Sequence, residues 1–176
     1  VFLPELYAAE TYIAGRMALI LSSYPDLGQA YDRQIDALQE QLGITYESRQ
    51  RKAITMSLNN GVFILTGGPG TGKTTIINAI IELFEQRGDK VMLAAPTGRA
   101  AKRMSELTGR QSKTIHRLLE VDFRDGAGTV FKRDERNTLP ADVIVVDEMS
   151  MVDISLMHSL LRAVNVGTRL ILVGDV

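Results

Sequence analysis

Nine consecutive residues, Gly67-Gly68-Pro69-Gly70-Thr71-Gly72-Lys73-Thr74-Thr75, match the pattern G-x-x-x-x-G-K-[ST]. The chemistry this spacing serves is the grip on a polyphosphate. Glycines at 67, 70 and 72 let the backbone turn tightly and aim its N–H groups inward. A helix starting at Thr74 adds the partial positive charge of its N-terminus. Lys73 reaches the β- and γ-phosphates as a point charge, and the Thr74 hydroxyl is a hard oxygen ligand for Mg²⁺. Gly68, Pro69, Gly70, Thr71, Gly72, Lys73, Thr74 and Thr75 are therefore the candidate nucleotide-binding positions.

A grip becomes a hydrolase only with a carboxylate near the terminal phosphate. The stretch Val143-Ile144-Val145-Val146-Asp147-Glu148 provides two at the end of an apolar run. Asp147 is the expected partner of the Mg²⁺ shell. Successive strand residues point in different directions, which lets Glu148 face a water instead of the metal, as general base or water-positioning group. Lys73, Asp147 and Glu148 form the candidate catalytic set. Without Lys73 the same two acids would read as a solvated strand end.

These residues need a scaffold, and the hydrophobic pattern predicts one. Four short continuous apolar runs, 62–65, 91–94, 143–146 and 170–173, have the character of strands buried on both faces. Helical patterns separate them, over Thr74 to Arg87, Gly98 to Leu107, Thr114 to Leu119 and Val152 to Val164. Strands alternating with helices predict an α/β fold with a doubly wound, mostly parallel sheet and ligands at the strands' carboxyl ends. Before it, residues 3–23 place Leu6, Ile13, Met17, Ile20 and Leu21 at helical spacing, and 27–42 repeat the pattern more weakly. A further helix spans Glu47 to Leu58. The expected division is a helical element over 1–44, part of a larger N-terminal domain, and an ATPase domain over 45–176. Residues 122–137 fit neither period, and their glycine-rich centre between Phe123 and Val130-Phe131 predicts a hairpin insertion over 120–137.

The chain has 176 residues, 45% of them hydrophobic, and a formal net charge of −1, so no global positive field points to nucleic acid. Charge is nonetheless uneven. Arg99, Lys102, Arg103, Arg110, Lys113 and Arg117 crowd 99–117 against Glu106 alone. By charge alone this is either a solvated helix face or a local anionic contact. Cysteine is absent, which excludes disulfide frameworks and thiolate metal sites and points to a reducing, cytoplasmic compartment. No apolar run reaches the ~18 residues of a membrane span. No metal-ligand spacing surrounds His116 or His158. The chain starts at Val1 and stops at Val176 just after an apolar run, which reads as a fragment.

The loop at 67–75, "APTGRAAKRM" over 95–104, "TIHRLL" over 114–119, "VIVVDEMSMVD" over 143–153 and the terminal "LILVGDV" follow one another in a single order. Together they resemble the first RecA-like motor domain of a superfamily 1 DNA helicase, in the RecD-like branch that moves 5′ to 3′. The resemblance covers roughly residues 45–176. It implies a RecA-like P-loop NTPase fold, Mg²⁺-ATP as cofactor and substrate, and single-stranded DNA as partner. It also implies a second RecA-like domain that closes on the nucleotide with arginine fingers. An exodeoxyribonuclease V alpha-like protein with nuclease-complex partners is one form it allows.

Residue roles follow from the same resemblance. Gln50, by itself a surface residue of its helix, matches an adenine-reading glutamine. Thr97, Gly98 and Arg99 match a motif gripping single-stranded DNA, while Lys102 and Arg103 are left between DNA contact and solvent. Thr114 matches a phosphate-binding hydroxyl, and His116 a contact to a base or sugar. Gly174-Asp175 opens a γ-phosphate-sensing motif. Segment 120–137 lies where relatives carry a strand-separating pin, and a plain surface loop fits it equally. No arginine finger is identifiable, so the isolated 176 residues are expected to bind Mg-ATP weakly, turn it over very slowly and unwind nothing. Two other readings remain: a P-loop ATPase with no nucleic-acid role, and a non-catalytic nucleotide-binding module.

Overall fold

The computed structural model describes residues 4–25, 28–68, 70–123 and 129–175. Three helices come first, α1 (Pro4–Ser23), α2 (Asp32–Leu42) and α3 (Ser48–Asn59). Then follow β1 (Val62–Thr66), α4 (Lys73–Gln86), β2 (Val91–Ala95), α5 (Gly98–Thr108), β3 (Ser112–Thr114) and α6 (Ile115–Leu118). The short strands β4 (Val121–Phe123) and β5 (Thr129–Phe131) lead to β6 (Val143–Val146), a 3₁₀ turn (Met149–Met151), α7 (Ile154–Ala163) and β7 (Arg169–Gly174).

Five strands form one sheet in the order β1-β7-β6-β2-β3, and every pairing in it is parallel. Parallel neighbours need crossover helices, and these cover both faces. Alternation along the strands divides the core in two. Val143 and Val145 of β6 and Ile171 and Val173 of β7 face α2, α3 and α4. Ile144 and Val146 of β6 and Leu170 and Leu172 of β7 face α1, α6 and α7. All four residues of β6 are buried, as its unbroken apolar run predicts, but edge strand β1 leaves Ile64 61% exposed, against the reading of its run as buried on both faces.

The expected α/β, doubly wound parallel sheet is therefore present, with one more strand than the apolar runs indicate. The addition, β3, is only three residues, Ser-Lys-Thr, on the sheet edge. A polar strand with one neighbour buries little and leaves no apolar signature.

Helix α1 lies against α7 by a narrower face than its spacing suggests. Tyr12, Ile13, Met17 and Ile20 pack inward, whereas Leu6 and Leu21 are 38% and 47% exposed. Its position is keyed by Gly61, where a Cβ would stand 2.4 Å from the Ile20 carbonyl oxygen. Arg16 Nη2 also donates to the Val164 carbonyl at 2.6 Å, closing the C-terminal end of α7. Helix α2 buries Ile35 and Leu38 in the opposite core half. Strands β4 and β5 pair antiparallel, apart from the main sheet. The centre of the expected hairpin, 124–128, lies outside the described residues.

Candidate active site and strand-end surface

The glycine-rich loop joins the carboxyl end of β1 to α4. Gly70 and Gly72 hold φ of +76° and +81°, a left-handed backbone that glycine adopts without steric cost. Gly72 is the N-cap of α4 and offers no side-chain cap, so the first N–H groups of the helix are left for an anion. The loop also closes on itself, since Thr71 Oγ1 donates to the Gly68 carbonyl at 2.8 Å. Pro69 lies outside the described residues.

Lys73 folds back over this loop. Its ammonium donates to the Gly67 carbonyl, to the Gly68 carbonyl at 3.2 Å and to Asp175 Oδ1 at 2.5 Å. All three ammonium protons are thus engaged by oxygen, the arrangement that the oxygens of a polyphosphate would compete for.

Gln50 reaches the loop from α3. The Glu47 N–H donates to Gln50 Oε1 at 2.9 Å in a capping box, which sets the side chain's direction. Gln50 Nε2 then stands 2.7 Å from where a Cβ on Gly72 would be. Glycine at 72 is required by its φ, and a Cβ there would also displace the Gln50 amide.

Strand β6 delivers the two acids. The Asp147 N–H donates to the Ala94 carbonyl at 3.0 Å, and Asp147 Oδ1 accepts from the Glu148 N–H at 2.9 Å. Glu148 has φ 56° and ψ 42°, a left-handed conformation costly for a residue with a Cβ.

Lys73, Thr74, Asp147, Glu148 and Asp175 line one cleft of about 370 Å³ together with Gly68 and Gly70–Gly72. The cleft therefore brings together the loop and both carboxylates. The Thr74 hydroxyl and the Asp147 carboxylate are hard oxygens of the kind Mg²⁺ takes, and that ion draws its remaining ligands from phosphates and water. Among the described residues no three His, Cys, Asp or Glu side chains form a metal-binding group. A two-oxygen protein set shared with a triphosphate fits the ion without one.

Asp175, just past β7, lines the cleft as the start of the γ-phosphate-sensing motif, whereas Arg103 of α5, which lines it with Leu107, was not singled out for the nucleotide. Arg103 follows Arg99 by four residues, one helical turn, which is the signal that sequence offered.

The candidate DNA residues sit on the same edge of the sheet, over the neighbouring strands. Thr97 follows β2 and Thr114 ends β3, whose Cα partner in register is Ala95. Both threonines are helix N-caps. Thr97 Oγ1 accepts from the Ala100 N–H and Thr114 Oγ1 from the Arg117 N–H, each at 3.2 Å. Each hydroxyl keeps its proton to donate elsewhere. Gly98 and Arg99 are exposed beside them, and exposed His116 rests on Phe131, ring centroids 5.8 Å apart.

A family profile described as "AAA domain" matches residues 50–176. The chain belongs to the AAA domain family. Its sequence is RecD-like. The chain is 38% identical, over 99% of its length, to the ATP-dependent RecD2 DNA helicase of Deinococcus radiodurans. It is 42% identical over 72% of this chain to the RecBCD enzyme subunit RecD of Mycobacterium tuberculosis. The chain spans about a quarter of the length of these curated relatives, 24% and 25%. Among solved structures, the Pif1 helicase of Candida albicans superposes with a TM-score of 0.55 at 28% identity, covering 75% of this chain and 33% of that one. The AAA domain shares the RecA-like fold of this solved helicase. No helix among the described residues is long and apolar enough to cross a membrane.

Proposed function

We propose that this AAA domain is the first motor domain of an ATP-dependent 5′-to-3′ DNA helicase, binding Mg-ATP and single-stranded DNA. The observation that carries the reading is the shared cleft, in which Lys73 and Thr74 from one strand end meet Asp147 and Glu148 from another. The relatives named ATP-dependent RecD2 DNA helicase and RecBCD enzyme subunit RecD support the nucleic-acid half.

In this reading Gln50 reads adenine, while Gly68 to Thr75 hold the phosphates. Thr74 and Asp147 hold Mg²⁺, which offsets phosphate charge when bound. Glu148 takes a proton from a water whose oxygen bonds to the γ-phosphorus as the bond to the β,γ-bridging oxygen breaks. The products are ADP and inorganic phosphate. Thr97, Gly98, Arg99, Thr114 and His116 form the track for the DNA strand, positioned by phosphate contacts rather than base readout. The antiparallel pair β4–β5 belongs to the segment read either as a strand-separating pin or as a plain surface loop.

The proposed organisation is a helical element over 1–44, belonging to a larger N-terminal domain, and the motor domain from 45. A second RecA-like domain supplies the arginine fingers, and the 176 residues alone turn ATP over very slowly. The intact protein is placed in the cytoplasm, by itself or in a nuclease complex. The deciding experiment measures ATP turnover by the intact protein with and without single-stranded DNA across a salt series. A stimulation that fades steeply with salt is expected. Turnover indifferent to DNA at every salt concentration would reject the helicase assignment.

A further inference from the structure

Helix α5 faces two sites at once. Its first turn, with Gly98 and Arg99, lies at the strand end proposed for DNA. One turn further on, Arg103 lines the nucleotide cleft with Leu107, across from Thr74 and Ile77 of α4. The helix has little freedom to move this side chain away. Ala101, Met104 and Thr108 are buried on its inner face, and Asn78 Nδ2 of α4 donates to the Leu107 carbonyl at 3.1 Å.

The charges in and around the cleft single out Arg103. Lys73 is already engaged by Asp175, as described above. On α5 itself Lys102 lies 3.8 Å from Glu106, and beyond the helix Arg110 pairs with Glu82 and Glu85. Arg103 has no ion-pair partner among the described residues, although Asp147 and Glu148 line the same cleft. Those two acids and Asp175 outnumber Lys73 and Arg103, so Arg103 is one of only two basic side chains among the cleft's described lining residues that a triphosphate can use. A guanidinium also offers a planar fork that matches two phosphate oxygens, which an ammonium cannot do.

We propose that Arg103 binds the terminal phosphate of the nucleoside triphosphate, a positive charge supplied in cis by this chain and additional to any finger from another domain. The terminal position follows from its neighbours. Lys73 and the loop grip the phosphates from the β1 and β7 side. Arg103 shares the β2 and β6 side with Glu148, the carboxylate that must face the γ-phosphorus. This assignment rests on the nucleotide-binding reading above.

The test is equilibrium binding of ADP and of ATPγS to the intact protein, by displacement of a fluorescent ADP analogue. Arg103→Ala weakens ATPγS about tenfold or more and ADP by less than about threefold. Arg103→Lys recovers only part of the loss, because it restores charge without the fork. Arg103 is exposed, so the variant melts with wild type, which is checked in parallel. An unchanged ATPγS affinity, an equal loss for ADP and ATPγS, or a loss confined to single-stranded DNA binding would each overturn the assignment. Lys73→Ala, which should lose both nucleotides, is the control. A wild-type protein that binds neither nucleotide would remove the functional reading itself, a result distinct from any of these.

Discussion

Lys73 Nζ and Asp175 Oδ1, separated by 102 positions in the chain, meet at 2.5 Å across the nucleotide cleft. The lysine side chain is 17% exposed and the aspartate 57%. The pair brings β7 into contact with the loop after β1, its parallel neighbour in the sheet. It also means that a polyphosphate must compete with a carboxylate for the Lys73 ammonium.

The first prediction follows from that competition. A half-exposed ion pair is worth about 1 kcal/mol or less, so releasing it changes affinity by up to about fivefold. Asp175→Asn should tighten ADP binding by a few-fold in a calorimetric titration, with the gain shrinking as salt rises. Weaker ADP binding by this variant would show that Asp175 assists the nucleotide rather than competing with it.

Glu148 allows catalysis and strain to be separated. Glu148→Gln keeps the shape and should bind ATP while turnover falls about 10²-fold or more, the scale of a lost general base. Glu148→Gly removes the Cβ from a residue at φ 56° and should stabilise the fold by about 1 kcal/mol while also abolishing turnover. Thermal melts and a phosphate-release assay on both variants check this. A Glu148→Gly variant that melts below wild type would refute the account of backbone strain.

Thr97 carries a cap and a proposed DNA contact on one hydroxyl. Thr97→Ala should cost about 1 kcal/mol of stability through the lost Ala100 N–H bond, and should also weaken single-stranded DNA binding. Thr97→Ser keeps the hydroxyl and should retain both. Thr114→Ala should repeat the cap loss at α6. Stability and DNA affinity are read separately, by denaturant melts and by anisotropy. An alanine variant with unchanged DNA affinity would confine Thr97 to capping.

One acid contributes to pH-dependent stability. Glu135 is held down to about 2, first by its hydrogen bonds from Arg162, at 2.7 and 2.9 Å, on α7. Tyr12 of α1 adds its hydroxyl at 3.3 Å. A carboxylate whose folded pKa lies below the unfolded value stabilises above the unfolded pKa, and that contribution is lost as pH falls towards about 2. Both side chains are more than a third exposed, at 43% and 42%, so screening limits the effect to about 1 kcal/mol or less. Glu135→Gln should lower stability at neutral pH by that amount and flatten the acid limb between about pH 4.5 and 2. An acid limb identical to wild type would mean that the pair contributes nothing.

Much of this molecule was readable from local pattern. The glycine spacing of 67–75, the apolar run before Asp147 and the helical periods of α3 to α7 need only neighbours in sequence, because backbone geometry and burial on both strand faces act over a few residues. The RecD-like order of motifs was legible for the same reason. The lost signals are those without a local cause. Strand β3 exists only because β2 offers it a partner, and Leu6 and Leu21 stay exposed because α7 covers just one stripe of α1.

The sequence by itself determined that a phosphate loop and a strand-end acid pair exist, and that a parallel sheet carries them. Tertiary structure alone decided their company. It set Gln50 Nε2 against Gly72, bent Asp175 onto Lys73, and turned Arg103 from a basic stretch into the wall of the nucleotide cleft. Those outcomes depend on the strand order β1-β7-β6-β2-β3, which brings distant strand ends side by side. Charge spacing along a chain cannot report which oxygen a cation will meet, because the sheet's crossovers, not the intervening residues, fix that distance.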